Sequence, residues 1–142
     1  SVKQTAGSIG YVEYAYAKKN GGTYVLLKNK AGNFPQPAAA SFSAAAASAD
    51  WTKAPGNYIL LLDQPGADAW PLTGATFILM HKTQTEAAKG AAVLKFFDWA
   101  YKTGDADAAG LDYVPMPDSV KTTVRQQWSA VQAGGKPVYT AQ

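Results

Sequence analysis

The chain has 142 residues, 47% hydrophobic and 16% charged, and its 13 Lys and Arg against 10 Asp and Glu leave a net charge of +3. That length suits one domain with a normal apolar fraction, which excludes a disordered chain. The lack of Cys excludes disulfides, thiolate catalysis and Cys-based zinc or iron–sulfur centres, and a single His excludes a multi-His metal site. No metal or other cofactor is therefore expected.

No apolar run approaches the ~20 residues of a membrane helix. The mild charge does not suggest a nucleic-acid partner. Ser1-Val2-Lys3 carries no initiator Met, basic leader or apolar leader core, as expected for a processed mature protein or a piece of a longer one.

In chain order, Ile9 to Tyr14 alternates in β-forming residues and predicts a strand, with Gly7 and Gly10 beside it. Tyr14 to Lys19 can turn helical before Asn20-Gly21-Gly22 stops it. Tyr24 to Leu27 predicts a second short strand, and Asn29 to Asn33 a turn. Pro37 then opens an Ala-rich stretch, Ala38 to Ala49, read as a closely packed helix anchored by Phe42, with a low-complexity linker as the alternative.

Tyr58 to Leu62 is an apolar run that leaves strand and buried helical turn open. Asp63 to Gly66 is a turn by composition, and Ala75 to His81 predicts a buried strand. The last third reads as helical. Glu86 to Lys102 carries Ala88, Ala91, Ala92, Leu94, Phe97, Ala100 and Tyr101 as an apolar stripe, and Gly104 stands at its C′ position. A second helix starts near Asp118-Ser119, recurs through Val120, Val124, Trp128 and Val131, and ends at Gly134-Gly135. Leu111 to Pro117 connects the two. Strands mixed with helices indicate an α/β layered fold.

The chemistry-bearing residues assemble no recognisable catalytic set. His81 has no neighbouring nucleophile and carboxylate in a known setting and reads as a partly exposed strand-end His. Asp105 and Asp107 follow a helix-ending Gly and read as a solvated loop. The small-residue turns at Gly7 to Gly10, Gly21-Gly22 and Thr73 to Thr76 lead into strands, where a phosphate cradle opens a helix. Tyr11, Tyr14, Tyr16, Tyr24 and Tyr58 lack interleaved Arg residues and read as packing rings. From the residues alone, the expectation is a non-catalytic α/β module.

Four segments carry a resemblance: Ser8 to Ala17 (SIGYVEYAYA), Asp68 to Leu79 (DAWPLTGATFIL), Leu94 to Tyr101 (LKFFDWAY) and Leu111 to Val120 (LDYVPMPDSV). In that order they resemble the C-terminal part of the periplasmic phosphate-binding protein family of the bacterial phosphate ABC transporter (the PstS family), from about Val2 to Tyr139. The resemblance implies part of a two-lobed type II solute-binding fold, each lobe an α/β sheet flanked by helices, in a protein roughly twice this length. It implies binding of inorganic phosphate in the periplasm, without metal, and delivery to an ABC-type importer. The implied partners are phosphate, the ABC permease and the missing N-terminal half.

The family's phosphate contacts lie in its first half, including an Arg followed by a Ser-Gly-Thr turn. No such pattern occurs here, and Arg125 matches none of those positions. No catalytic, phosphate-binding or metal-binding residue is therefore assigned. The implied layout gives residues 1–72 to the end of the second lobe, 73–82 to a hinge-crossing strand, and 83–142 to helices packing on the first lobe.

Such a chain leaves strand edges and apolar faces open, so it is expected to be a fragment. It should associate with its missing half, exchange elements with a second copy, or refold into a compact unit. A non-catalytic interaction or structural fragment without a ligand is the alternative function, and an enzyme using His81 has the least support.

Overall fold

A computed structural model describes residues 2–53 and 55–141. Five α-helices follow in order: α1 (Tyr14–Lys19), α2 (Ala39–Ser48), α3 (Ala87–Thr103), α4 (Asp105–Gly110) and α5 (Asp118–Gln127). Single 3-10 turns stand at Val2–Gln4, Pro55–Asn57 and Trp128–Ala130. The sole ladder among the described residues joins β1 (Gln132–Ala133) and β2 (Lys136–Pro137) as an antiparallel pair.

The helices begin and end for local reasons. The α2 stretch is helical, not a linker. Ser41 Oγ accepts the Ala38 N–H at 3.1 Å and donates to the Gln36 carbonyl at 2.6 Å, which closes the helix's first turn. Phe42 packs edge-on to Tyr14, with centroids 5.2 Å apart, and so holds α1 against α2.

Between α3 and α4 stands Gly104 at φ −84°, so it is not a left-handed cap. A Cβ there would lie 2.7 Å from the Ala100 carbonyl oxygen; close approach, not φ, requires glycine. Gly134 and Gly135, at φ 56° and 76°, form the two-residue turn between β1 and β2. They do not end the last helix, because α5 stops at Gln127 and continues as a 3-10 turn.

The expected strands at 9–14, 24–27 and 75–81 form no ladder, and 58–62 contributes only an isolated Leu62–Leu72 bridge. The structure is thus helix-rich with one small two-stranded sheet, and the layered α/β sheet is absent among the described residues. The sequence pattern of a strand is nevertheless legible in the burial. Ile59 and Leu61 turn inward while Tyr58, Leu60 and Leu62 are exposed; Ala75 and Phe77 turn inward while Thr76 and Ile78 are exposed. Alternation with apolar residues on both sides is what a strand covered on both faces carries. A strand needs a neighbour to receive its N–H and C=O groups, and beyond the Leu62–Leu72 bridge no described segment pairs with these stretches as a ladder. Ala75 to His81 is accordingly not buried as expected: Leu79 is 92% exposed.

Two hydrophobic clusters form the core. The first joins Ala46, Trp51 and Leu61 to Val120 of α5, with Ile59, Ala75 and Phe77 packed against it. The second joins Leu94 of α3 to Trp128 and Val131, with Met80, Tyr101 and Tyr139 against it. Val124 touches both. The expected stripe Val120, Val124, Trp128 and Val131 is therefore the seam along which the molecule is packed. Trp128 stacks on Tyr101, centroids 5.9 Å apart, and the Trp51 indole N–H donates to the Ala46 carbonyl at 2.8 Å.

Candidate functional site

Three polar constellations and two clefts stand out among the described residues. Asp98, on the inner side of α3, is buried. It accepts from Arg125 Nε of α5 at 2.7 Å and from the Tyr139 hydroxyl at 2.9 Å, and it pairs with Lys102 Nζ at 3.0 Å. Burial pushes the Asp98 carboxyl up, but hydrogen bonds from Lys102, Tyr139 and Arg125 outweigh it and hold the group below the usual carboxylate range. The same bond to Asp98, together with burial, raises the Tyr139 phenol. Asp98 therefore ties α3, α5 and the C-terminal segment into one unit.

The second constellation sits where α4 meets α5. The buried Lys121 ammonium donates to both carboxylate oxygens of Asp105, at 2.6 and 2.8 Å, and lies 3.7 Å from Asp118. Asp105 and Asp107 thus belong to a short helix and not to a loop; both are solvent-exposed as expected, and Asp105 is paired with a lysine. The third is the Asn29 turn. Asn29, buried, donates through Nδ2 to the Ala67 and Ala69 carbonyls at 2.8 and 3.1 Å and accepts the Asn33 N–H at 2.9 Å. This fastens the 29–33 turn to the start of the Asp68 to Leu79 motif. Within that motif Ala69, Trp70, Pro71 and Thr73 are buried, and the Thr73 hydroxyl donates to the Trp70 carbonyl at 2.9 Å.

One cleft, about 370 Å³, lies between the end of α2 and the start of α5 and is lined in part by Ser48, Asp50, Thr52, Ser119 and Thr123. Three of its hydroxyls are engaged within the chain: Ser48 donates to the Ala45 carbonyl at 3.3 Å, Thr52 to Asp50 at 2.7 Å and Thr123 to the Ser119 carbonyl at 3.0 Å. Hydrogen bonds from Thr52 and Lys53 bring the Asp50 carboxyl down to about 2. A permanent carboxylate on the wall opposes an anionic ligand. A second cleft of about 360 Å³ includes Arg125, whose Nε is directed to Asp98.

His81 is exposed, and its backbone carbonyl accepts from Gln84 Nε2 at 2.5 Å. No group of three or more His, Asp or Glu is placed to hold a metal among the described residues. The tyrosines do not form a shared platform: Tyr14 packs on Phe42 and Tyr58 on Phe77, whereas Tyr11 is 98% exposed. The glycine turn at 73–76 lies beside the exposed 76–79 segment and opens no helix. Sequence reasoning did not single out Asp98, Tyr139 or Lys121. Asp98 lies among apolar residues on α3, and a lone acidic residue at an inward helix position was the available signal.

No family model matches this sequence. The chain is 50% identical over 121 residues to phosphate-binding protein PstS of Pasteurella multocida, a match that covers 85% of this chain and 35% of the relative. It is 46% identical over 127 residues to PstS of Haemophilus influenzae, covering 89% of this chain and 38% of that protein. PstS of Xylella fastidiosa is 43% identical over 129 residues, 91% of this chain and 35% of the relative. Over most of its length this chain is a PstS-like sequence. The matched stretch spans little more than a third of these relatives, so they exceed the doubling in length that the resemblance implied.

The PstS-like segments map onto distinct parts of the structure. Ser8 to Ala17 supplies α1 and the exposed stretch before it, Asp68 to Leu79 the buried tether and the unpaired segment, Leu94 to Tyr101 the middle of α3, and Leu111 to Val120 the entry to α5.

Proposed function

We propose that this chain is the C-terminal part of a PstS-type protein that binds inorganic phosphate in the periplasm and hands it to an ABC-type importer. The observation that carries this is 43–50% identity to three PstS proteins across 85–91% of the chain. On this reading the chain is non-catalytic. Its contribution to the complete two-lobed protein is wall and hinge, and the phosphate contacts come from the part of PstS outside the matched stretch.

The course of residues 73–82 supports a crossing segment there, although Val120 of the 83–142 part packs in one cluster with Trp51 and Leu61 of the 1–72 part. Ala75 and Phe77 pack on the first cluster and Met80 on the second, so this segment runs from one to the other, as a hinge-crossing strand does. Residues 1–72 then belong to the end of the second lobe and 83–142 to helices on the first. The outward apolar residues of 58–62 and 75–79 support sheet neighbours from the rest of the protein.

The test compares two proteins by calorimetric titration with inorganic phosphate. One is this chain alone. The other is P. multocida PstS in which this chain replaces the matched stretch. The expected result is no saturable binding by the chain alone and one phosphate per molecule of the chimera. Stoichiometric binding by the chain alone would contradict the assignment of the contacts elsewhere. A folded chimera that ignores phosphate would overturn the PstS reading.

A further inference from the structure

Asn20-Gly21 is the one Asn-Gly pair in the sequence. Asn20 is the exposed C-cap of α1, and its Nδ2 donates to the Tyr16 carbonyl at 2.8 Å. Gly21, at φ 57°, carries no side chain to shield its nitrogen from the Asn20 side chain, and a Cβ there would meet nothing within 4 Å. The Lys3 ammonium, 17 residues earlier in the chain, donates to the Asn20 carbonyl at 2.5 Å. Helix α1 is weak: it has 6 residues, none buried, and no side-chain cap at Glu13. The Gly21 N–H donates to the Lys18 carbonyl at 3.2 Å, the long end of the normal range, and the Gly22 N–H to the Ala17 carbonyl at 2.8 Å.

We infer that Asn20 is a self-modification site, converted through a cyclic imide to aspartate and isoaspartate with Lys3 as the assisting group. The Gly21 nitrogen attacks Asn20 Cγ, a C–N bond forms, the Cγ–Nδ2 bond breaks, and ammonia leaves with the proton that Gly21 gives up. Water then opens the imide at either carbonyl, and no oxidant or reductant takes part. Both reacting groups are joined in one dipeptide, so no encounter has to be arranged. As Gly21 loses its proton, negative charge spreads onto the Asn20 carbonyl oxygen, where the Lys3 ammonium stabilises it. Attack requires the Tyr16 and Lys18 carbonyls to release their donors, so it proceeds when the last turn of α1 frays. The other asparagines lack this setting: Asn29 and Asn57 are buried, and Asn33 precedes Phe34. The product carboxylate cannot donate to the Tyr16 carbonyl, and it places negative charge at the helix C-terminus, which the dipole opposes. Isoaspartate also adds a methylene to the backbone. Conversion therefore opens the end of α1 irreversibly.

The test incubates the whole chain in mildly alkaline buffer and follows it by peptide mapping, with isoaspartate read by enzymatic carboxyl methylation. Conversion is expected at Asn20 ahead of Asn29, Asn33 and Asn57, with isoaspartate exceeding aspartate. Lys3 is exposed and outside both core clusters, so Lys3→Met should fold normally. It should slow conversion of the folded chain severalfold and leave the rate in urea unchanged, because there Lys3 no longer meets Asn20. Chymotrypsin should cut after Tyr16 sooner in the converted chain than in fresh material. An Asn20 that survives in the folded chain but converts in urea would overturn the site and make the cap protective. Equal folded-state rates for wild type and Lys3→Met would overturn the role of Lys3. An unchanged chymotrypsin pattern after conversion would overturn the opening of α1.

Discussion

Leu60 and Leu61 are adjacent and chemically identical, yet the structure predicts opposite consequences for truncating them. Leu61 is 2% exposed and packs with Ala46, Trp51 and Val120; Leu60 is 61% exposed. Leu→Ala in a packed core costs about 2–5 kcal/mol, from lost transfer energy and the cavity left behind. The rigid indole and the helix seam around Leu61 limit collapse, so Leu61→Ala should cost about 3 kcal/mol. Leu60 retains less than half of that burial and leaves no enclosed cavity, so Leu60→Ala should cost under about 1 kcal/mol. With a urea m-value of about 1.5 kcal/mol/M, the midpoint should fall by about 2 M for Leu61→Ala and by less than about 0.7 M for Leu60→Ala. Equal shifts would refute the inward–outward assignment of the 58–62 segment. In the phosphate-binding chimera the asymmetry should narrow, because a sheet neighbour would then cover Leu60. An unchanged asymmetry there would argue against that neighbour.

Asp98→Asn should destabilise the chain by about 2 kcal/mol at pH 7, since it weakens charge-assisted bonds from Arg125 and Lys102. Asp98 has a carboxyl lowered from 3.8 on folding, so its contribution is complete above the unfolded value and is lost as pH falls through the folded one. Urea midpoints of wild type and variant should therefore converge as the pH falls below the folded value, and a gap that persists once the carboxyl is protonated would exclude the ionised carboxylate as its source. Gly104→Ala should destabilise by about 1–2 kcal/mol despite the better helix propensity of Ala, because its Cβ meets the Ala100 carbonyl oxygen. A thermal melt showing stabilisation would disprove that contact. Trp51→Phe, which removes the indole donor to the Ala46 carbonyl, should cost about 1 kcal/mol beyond its loss of buried area, read from the same urea series.

The helical third was legible in the sequence because its signals are local. Val120, Val124, Trp128 and Val131 recur at one turn; the helix they announce starts at Asp118 as expected but stops at Gln127, so Trp128 falls in the 3-10 turn and Val131 just beyond it. Strands behave differently. The residues of 58–62 and 75–81 alternate as strand residues should, but a ladder depends on a neighbour, and composition does not reveal whether one is present. The two glycine positions were found but misassigned, because Gly104 and the Gly134-Gly135 pair serve a close approach and a hairpin, respectively. The polar ties were missed. Asp98, Arg125 and Tyr139 lie on three separate stretches of chain, and only folding brings them to one point.

The contact of Trp51 and Leu61 with Val120 also constrains the order in which the molecule can be made. Its two sides are separated by some sixty to seventy positions in the sequence. On a ribosome, Trp51, Leu61 and the exposed runs that follow them emerge well before the helix that covers them. At ~5–20 residues per second this first half stays uncovered for several seconds, a window in which chaperones and self-association compete for it. Synthesis of this stretch should therefore depend on holdase capacity, and slowing translation between Leu62 and Val120 should lower the yield of folded chain.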